Sequence, residues 1–305
     1  MMGEPAGARS AGPDVALSAR SAICIQLSRG LPGSFVILHE KDADRPAPPA
    51  SITKLLTAVT ALHILDRGNM PAPPELVVEA GDLAEGSGRN LRAGDCLSFQ
   101  DMLANVLLAS SNIGANVLAR HFGRMLLQQE RAAGIAPIDR FVREMNAVAQ
   151  SLRMKRSHFL NPHGLGARGQ HSTARDLSQL VVACLDYPAI TGVWGKPRHV
   201  LSIGGPDPRQ LPVASIFQAS TRKLCPDFAI PQFRGGKSGS LYPSLFNLAA
   251  VSERANGERV ASVTIGSPTV MDRYGDYLAL TGMANAASTL AAPVSWTELA
   301  RALSA

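Results

Sequence analysis

Residues 46–65 read PAPPASITKLLTAVTALHIL, a proline-rich run that changes abruptly into an apolar one. The three prolines stop regular structure, because proline lacks the backbone donor that helices and strands need. From Ile52 to Leu65 the apolar residues recur at helical spacing, which predicts a buried helix directly after the prolines. Ser51 is therefore expected at the N-terminus of a helix.

Ser51 and Lys54 would share one face of that helix, because positions i and i+3 are neighbours. A serine hydroxyl is a poor nucleophile until a base removes its proton. Burial and a nearby cation can lower the pKa of a lysine until its amine serves as that base. The pair is typical of a serine nucleophile with a lysine base, and the alternative is a serine that only caps a helix.

The spacing alone is weak evidence, because Ser220-Thr221-Arg222-Lys223 also fits Ser-x-x-Lys. Ser220 lies in a polar stretch without helical periodicity, whereas Ser51 opens an apolar helix. This difference in context favours Ser51 as the nucleophile.

Two further motifs strengthen the hypothesis. Ser110-Ser111-Asn112 lies between two helical patterns, and Gly235-Gly236-Lys237-Ser238-Gly239-Ser240 follows an extended segment whose glycines would let the backbone approach a ligand. Each alone also fits a polar interhelix turn or a glycine-rich hairpin. In chain order, however, the three match the Ser-x-x-Lys, Ser-x-Asn and Lys-[Ser/Thr]-Gly motifs of serine β-lactamases and penicillin-binding proteins.

The pattern along the chain predicts an α+β fold. Residues 22–27 and 34–39 are short apolar runs around a Gly/Pro turn, which is typical of a hairpin. A block of helical patterns follows, and extended segments return after Trp194, before a last helical pattern near 273–283. We expect an antiparallel sheet formed from both chain ends, with an inserted helical lobe at about 66–190.

The sequence resembles the low-molecular-weight penicillin-binding proteins, the D-alanyl-D-alanine carboxypeptidases and endopeptidases, over roughly residues 20–285. Two more blocks carry this resemblance: Phe159-Leu160-Asn161-Pro162-His163-Gly164-Leu165 and His171-Ser172-Thr173-Ala174-Arg175-Asp176. It implies a penicillin-binding/β-lactamase-like fold and a carboxypeptidase that removes the terminal D-alanine of peptidoglycan stem peptides. It also implies a role in cell wall biogenesis and cell shape, with β-lactams as covalent inhibitors.

The resemblance implies a role for each residue of the first two motifs. Ser51 would form the acyl-enzyme, and Lys54 would accept its proton. Ser110 would relay a proton to the leaving amine. Asn112 would hold the substrate amide.

The third motif and one arginine would complete the site that the resemblance implies. Lys237 would stabilise charge and help keep the lysine base neutral, while Ser238 and Gly239 would bind the substrate, with the Ser238 hydroxyl on its carboxylate. Arg273 would bind that carboxylate too, and the alternative is a solvated arginine at a helix start. Two backbone N–H groups would form the oxyanion hole, those of Ser51 and Ser240.

His163 and His171 invite a catalytic triad, but serine–lysine chemistry needs no histidine base, so we expect structural roles for both. No third metal ligand lies at a suitable spacing, and the four cysteines are far apart. We therefore expect neither a metal nor a cofactor. Cys24 and Cys184 lie in apolar runs and are expected to be core thiols.

The composition is globular, with 46% hydrophobic and 18% charged residues. A net charge of +6 would favour anionic surroundings, but no Lys/Arg block marks a nucleic-acid site. No apolar run approaches the roughly 18 residues that span a bilayer. We expect peptidoglycan stem peptides as partners, no nucleic acid, no transmembrane segment and a monomer.

We expect a flexible lead-in at 1–20, a catalytic domain at 21–285 and a short tail at 286–305. The lead-in lacks the apolar core of a secretory signal. The tail does not fit the β-rich domain or anchor helix that many relatives carry, so we expect an unanchored enzyme. Because the implied substrate is assembled outside the cytoplasm, we expect an envelope, periplasmic or secreted protein that lost its signal, has a misplaced start or uses another export route.

Three alternatives remain open. A DD-endopeptidase that cuts peptidoglycan cross-links would use the same residues, because both reactions cut after a D-alanine and release a free carboxylate. A β-lactamase of class A would need a positioned glutamate, and the acids between Asn112 and His163, which are Glu130, Asp139 and Glu144, are not in that setting. A non-catalytic cell-wall-binding module would not require a nucleophile and a base together.

Overall fold

The structure is a computed structural model that describes residues 16–28, 34–224, 233–254, 257–286 and 294–295. The described strands are β1 (Ser21–Leu27), β2 (Ser34–Lys41), β3 (Leu76–Val77), β4 (Cys96–Leu97), β5 (Arg198–Ile203), β6 (Arg209–Ala214), β7 (Phe233–Leu241), β8 (Leu245–Glu253), β9 (Arg259–Ser267) and β10 (Val294–Ser295). The described α-helices are α1 (Thr53–Arg67), α2 (Phe99–Leu107), α3 (Asn112–Glu130), α4 (Pro137–Ser151), α5 (Ala174–Cys184), α6 (Pro188–Trp194), α7 (Ile216–Leu224) and α8 (Val270–Ala286).

The main sheet is antiparallel and has six strands in the order β10-β2-β1-β9-β8-β7. Strands from the first part of the chain thus pair with strands from the last part, and the helices α1 to α7 lie between them in sequence. The predicted α+β class, with a sheet from both chain ends and an inserted helical lobe, is confirmed. The predicted hairpin is β1 and β2, whose connecting turn lies outside the described residues.

Helices cover both faces of the sheet, as the alternation along β1 shows. Ile23 and Ile25 belong to the main core with α1 to α6, whereas Ala22 and Cys24 pack against Leu280 of α8 on the opposite face. Successive strand residues point to opposite faces, so β1 needs apolar residues at consecutive positions. The sheet is therefore a central layer that holds its edge strand β7 in a fixed place.

The central helix α1 is apolar on nearly all sides, and it contacts α3, α4 and α5. A helix of this composition is stable only when other elements surround it. It is preceded by a turn of 3₁₀ helix at Ala50–Ile52, as the proline stop predicts. Ser51 therefore lies just before a deeply buried helix, and the core fixes its position.

The expectation that Ser220 lacks helical structure is wrong, because α7 covers Ile216–Leu224. Phe217 is 2% exposed, and its ring meets that of Tyr277 edge to face at 5.7 Å. A short helix is stabilised by tertiary packing more than by its own propensity. The packing of α7 against its neighbours therefore accompanies a helix that the polar sequence around Ser220 did not indicate.

The division into lead-in, catalytic domain and tail stays a prediction, since residues 1–15 and most of 286–305 lie outside the described part. Within that part, no single helix is both long and apolar enough to cross a bilayer. The helices α5 and α6 reach that threshold only as a pair bent by 105°. The expected core thiols Cys24 and Cys184 are buried.

Candidate active site

Lys54 points at Ser51. Its Nζ donates to the Ser51 Oγ at 3.0 Å and to the carbonyl oxygen of His163 at 2.9 Å. The Lys54 side chain is fully buried, whereas Ser51 is half-buried. The predicted pair of nucleophile and base is thus in direct contact, and the second hydrogen bond fixes the direction of the amine.

The environment of Lys54 disfavours its charge. Burial lowers the Lys54 pKa well below the ordinary 10.5, and the positive charge of Lys237 lowers it further. An amine that is neutral near physiological pH can accept a proton from a hydroxyl. The site therefore provides a base within hydrogen-bond distance of a serine oxygen.

Lys237 and Arg273 extend this cluster of buried cations. Each is 2% exposed, on β7 and α8 respectively. Burial and the charge of Arg273 lower the Lys237 pKa to about 7, and burial lowers the Arg273 pKa to about 10. The Arg273 Nη1 donates to the Ser240 Oγ at 3.3 Å, and its Nε has no partner among the described residues. Such a cluster attracts an anionic group that could occupy the free donors.

Gly239 lets β7 touch the segment that precedes α1. A Cβ at this position would lie 3.1 Å from the Ser51 nitrogen and 2.9 Å from the Pro49 oxygen, closer than nearly all side-chain contacts. The backbone of β7 therefore runs directly beside the start of the helix. Ser238, 5% exposed, and Ser240 flank this contact on the same strand.

Ser110 and Asn112 lie where α2 ends and α3 begins. Ser110 adopts a left-handed backbone with φ of 58°, and its buried Oγ has no hydrogen-bond partner in the described part of the chain. The Asn112 Nδ2 donates to the Glu85 carbonyl at 2.5 Å. Neither side chain is hydrogen-bonded to Ser51 or Lys54. Buried polar groups are nearly always satisfied, so the free Ser110 hydroxyl is available to a ligand.

His163 supplies its backbone carbonyl to the site, where it accepts from Lys54, and its imidazole accepts a hydrogen bond from the backbone. The Leu165 N–H donates to His163 Nδ1 at 3.1 Å. Burial and the charge of Lys54 lower the His163 pKa to about 4, which keeps the ring neutral. His171 pairs with His158 through the backbone, and its Nδ1 lies 2.8 Å from the Gly169 carbonyl oxygen. Among the described residues, no three His, Cys, Asp or Glu side chains form a group that could hold a metal.

Two contacts of the site were missed by sequence reasoning. The His163 carbonyl holds Lys54, and a backbone group carries no signal in a residue pattern. The Asn247 Nδ2 donates to the carbonyl of Pro48, just before the nucleophile, at 3.0 Å. Here a signal existed, because Asn247 is a lone polar residue in the apolar run LFNLAAV at 245–251.

Comparisons with known proteins find relatives along most of the chain. The sequence profile of the D-alanyl-D-alanine carboxypeptidase family matches residues 8–269. The D-alanyl-D-alanine carboxypeptidase DacF of Bacillus subtilis is 25% identical, over 85% of this chain and 60% of its own. A D-alanyl-D-alanine endopeptidase of Pseudomonas aeruginosa is 31% identical, over 56% of this chain and 50% of its own. The chain thus spans less than two thirds of the length of these two relatives.

A solved structure supports the same fold. The Streptomyces K15 DD-transpeptidase matches with a TM-score of 0.75 and 19% identity, over 89% of this chain and 98% of that one. This likeness confirms the predicted penicillin-binding/β-lactamase-like fold.

Gly164 is expected to be intolerant of any side chain. A Cβ there would lie 1.9 Å from the Ala50 oxygen, and its φ of +85° is unfavourable for other residues. We predict that Gly164→Ala lowers the free energy of unfolding by about 2 kcal/mol more than Gly166→Ala. Gly166 is the matched control, because it also has a positive φ but nothing within 4 Å of its Cβ position. Urea denaturation measures both, and equal losses would contradict the prediction.

Proposed function

Because the chain belongs to the D-alanyl-D-alanine carboxypeptidase family, we propose that it is a serine-type D-Ala-D-Ala carboxypeptidase that removes the terminal D-alanine of peptidoglycan stem peptides. The observation that carries this proposal is the hydrogen bond of 3.0 Å between Lys54 Nζ and Ser51 Oγ, made by a fully buried lysine. A nucleophile and its base in contact would serve no purpose in a protein that only binds.

In acylation, the Ser51 Oγ attacks the carbonyl carbon of the penultimate D-alanine while neutral Lys54 takes the hydroxyl proton. The oxyanion of the tetrahedral intermediate accepts hydrogen bonds from the backbone N–H groups of Ser51 and Ser240. The C–N bond then breaks, and the leaving amine receives the proton from Lys54 through the Ser110 hydroxyl. Terminal D-alanine departs, and the rest of the peptide stays esterified to Ser51.

Deacylation repeats the same steps with water. Lys54 takes a proton from the attacking water, and the ester oxygen of Ser51 recovers a proton as the bond breaks. The products are the shortened peptide with a free carboxylate and the regenerated serine. Lys54 thus serves as base and acid in turn within one cycle.

Substrate binding is assigned to the remaining residues of the cleft. The carboxylate of the terminal D-alanine would lie against the cations Lys237 and Arg273 and accept from the Ser238 hydroxyl. Asn112 would hold the amide of the preceding residue. Gly239 would contribute to binding by letting β7 lie close to the segment that carries Ser51.

We place the catalytic unit at residues 21–285 and its action in the cell envelope, where peptidoglycan is assembled. β-Lactams, which carry a carboxylate beside a strained amide, would acylate Ser51 in place of the peptide. Two of the three acids between Asn112 and His163 are engaged elsewhere, because Glu130 and Glu144 pair with Arg140 at 2.5 and 3.0 Å. The acyl-enzyme formed by penicillin is therefore expected to persist.

A DD-endopeptidase is the second candidate. The relative in Pseudomonas aeruginosa is an endopeptidase, and it is more similar in sequence over its shorter match than the Bacillus carboxypeptidase is. Both reactions use the acyl-enzyme on Ser51, and only the leaving group differs in size.

Digestion of purified muropeptides tests the proposal. We predict that the protein converts pentapeptides into tetrapeptides with release of D-alanine, and that Ser51→Ala abolishes this activity while preserving the fold. Chromatography with mass detection separates the products. Consumption of cross-linked dimers with intact pentapeptides would establish the endopeptidase instead, and no change in either would contradict both.

Nitrocefin distinguishes a slow acyl-enzyme from a β-lactamase. We predict a burst of colour close to one equivalent of enzyme, followed by slow turnover, because Arg140 holds both Glu130 and Glu144 and neither is free to activate water. Stopped-flow absorbance measures the burst and the steady phase. Rapid multiple turnover would show that the cleft deacylates β-lactams efficiently.

The pH dependence of acylation reflects two lysines. The rate constant rises with pH as Lys54 loses its proton, and it falls above about 7 as Lys237 loses the charge that binds a carboxylate. Arg273→Gln removes a neighbouring charge that lowers the Lys237 pKa, so it moves this alkaline limb to higher pH. Penicillin acylation rates from pH 5 to 10 measure the limb, and an unmoved limb in Arg273→Gln would contradict the assignment.

A further inference from the structure

Asn247 connects the separate parts of the site through one buried amide. It lies on β8 with 0% exposure, directly opposite Gly239 of β7. Its Nδ2 donates to the Pro48 carbonyl at 3.0 Å, and its Oδ1 accepts from the Gly266 N–H at 2.9 Å. Pro48 leads into the nucleophile Ser51.

Two backbone groups, the Pro48 carbonyl and the Gly266 N–H, find their hydrogen-bond partner in the Asn247 side chain. The ladder between β8 and β9 has an irregularity between Phe246 and Leu248, and Gly266 has a positive φ of 75°, so its N–H points away from a regular pairing. The carbonyl of Pro48 belongs to a segment without a strand or helix, where backbone groups need other partners. The asparagine amide carries both a donor group and an acceptor oxygen, so it satisfies the Pro48 carbonyl and the Gly266 N–H together.

Because the residue opposite Asn247 on β7 is a glycine, the segment before Ser51 can approach close enough for the Asn247 amide to bind it. Gly239 has no side chain, and the Pro49 carbonyl comes within 2.9 Å of its Cβ position. The segment before Ser51 therefore lies over the Gly239–Asn247 pair. Since the oxyanion hole proposed above combines the N–H groups of Ser51 and Ser240, its geometry depends on how closely this segment lies on β7.

The backbone conformation of Ala50 is a further reason why the hydrogen bond from Asn247 to Pro48 matters. Its φ of 50° is left-handed, a conformation that costs an L-residue free energy and persists only where neighbours enforce it. Ala50 lies between the Pro48 carbonyl and the Ser51 nitrogen in sequence. Loss of the hydrogen bond at Pro48 would let this turn relax and move Ser51 relative to β7.

We infer that Asn247 is a positioning residue, which holds Ser51 and the turn toward Arg273 in register with β7 so that the oxyanion donors converge. This inference rests on the proposed function, since it concerns the same acyl-transfer site. Asn247 touches no substrate, and it acts through Pro48 and Gly266.

The test measures rate constants of a fluorescent penicillin, because a loss of stability lowers the labelled fraction but leaves these constants unchanged. For Asn247→Leu, which keeps the size and removes both hydrogen bonds, we expect acylation and deacylation rate constants about 10–100-fold below those of the parent protein. If the leucine variant fails to fold, Asn247→Ser replaces it in the test. Its shorter side chain cannot reach both Pro48 and Gly266, so both rate constants are expected to fall as well.

Val251→Ala is the matched control. Val251 lies on the same strand and the same face, is fully buried and packs in the main core. It is expected to lower the melting temperature and to keep both rate constants within about two-fold. Parental rate constants in folded Asn247→Leu or Asn247→Ser, or an equal loss in Val251→Ala, would overturn the inference.

Amide hydrogen exchange separates this inference from the proposed function. If the parent protein is not acylated at all, the proposed function fails. The effect of Asn247 on the backbone near Ser51 can still be measured by exchange. Asn247→Leu is expected to speed exchange in the peptides that contain Ser51 and Gly239, and Val251→Ala is not. Unchanged exchange at both peptides would overturn the inference without reference to any activity.

Discussion

The chemistry of the site follows from the burial of three basic side chains, Lys54, Lys237 and Arg273. No carboxylate of the residues that the structure describes forms an ion pair with any of them. Each lowers the pKa of its neighbour along the series, Arg273 acting on Lys237 and Lys237 on Lys54. The arrangement costs folding free energy, since buried charges are stable only when paired or neutralised. It gives in return an amine beside Ser51 whose pKa is well below the ordinary 10.5, and buried positive charge to which a carboxylate could bind.

The same part of the structure holds backbone strain. Ala50 and Ser110 are both left-handed, at about 1–3 kcal/mol each for such conformations. Ala50 directly precedes Ser51, and Ser110 carries a hydroxyl itself; the proposed mechanism uses both hydroxyls. Close contacts keep Ala50 in place, above all Gly164 against its carbonyl. The rigid core around α1 thus stabilises a turn that would relax in isolation.

Much of the fold and of the candidate site could be predicted from the sequence. The spacing of apolar residues indicates helices and strands, and the types of polar residues indicate the chemistry. The two short β-runs at residues 22–39, the helical patterns after them and the return of extended segments after Trp194 were sufficient for the α+β arrangement. The order of three motifs was sufficient to name the side chains. The sequence could not provide contacts between distant segments, such as the hydrogen bond from Lys54 to the His163 carbonyl. Asn247 stands out as a polar residue in an apolar run, but the sequence does not identify its partners Pro48 and Gly266. Ser220 shows the converse, since it lies in the helix α7, where the sequence analysis predicted none.

The central claim is that burial and neighbouring charge keep Lys54 neutral enough to act as a base, and its titration tests this most directly. Lysine side chains labelled with ¹³C at Cε report protonation by NMR, and Lys54→Met identifies the signal. The account predicts that Lys54 titrates well below 10.5, and that Lys237→Met moves its pKa upward because one of the depressing charges is gone. A Lys54 signal that titrates in the ordinary range of lysine, unaffected by Lys237→Met, would contradict it.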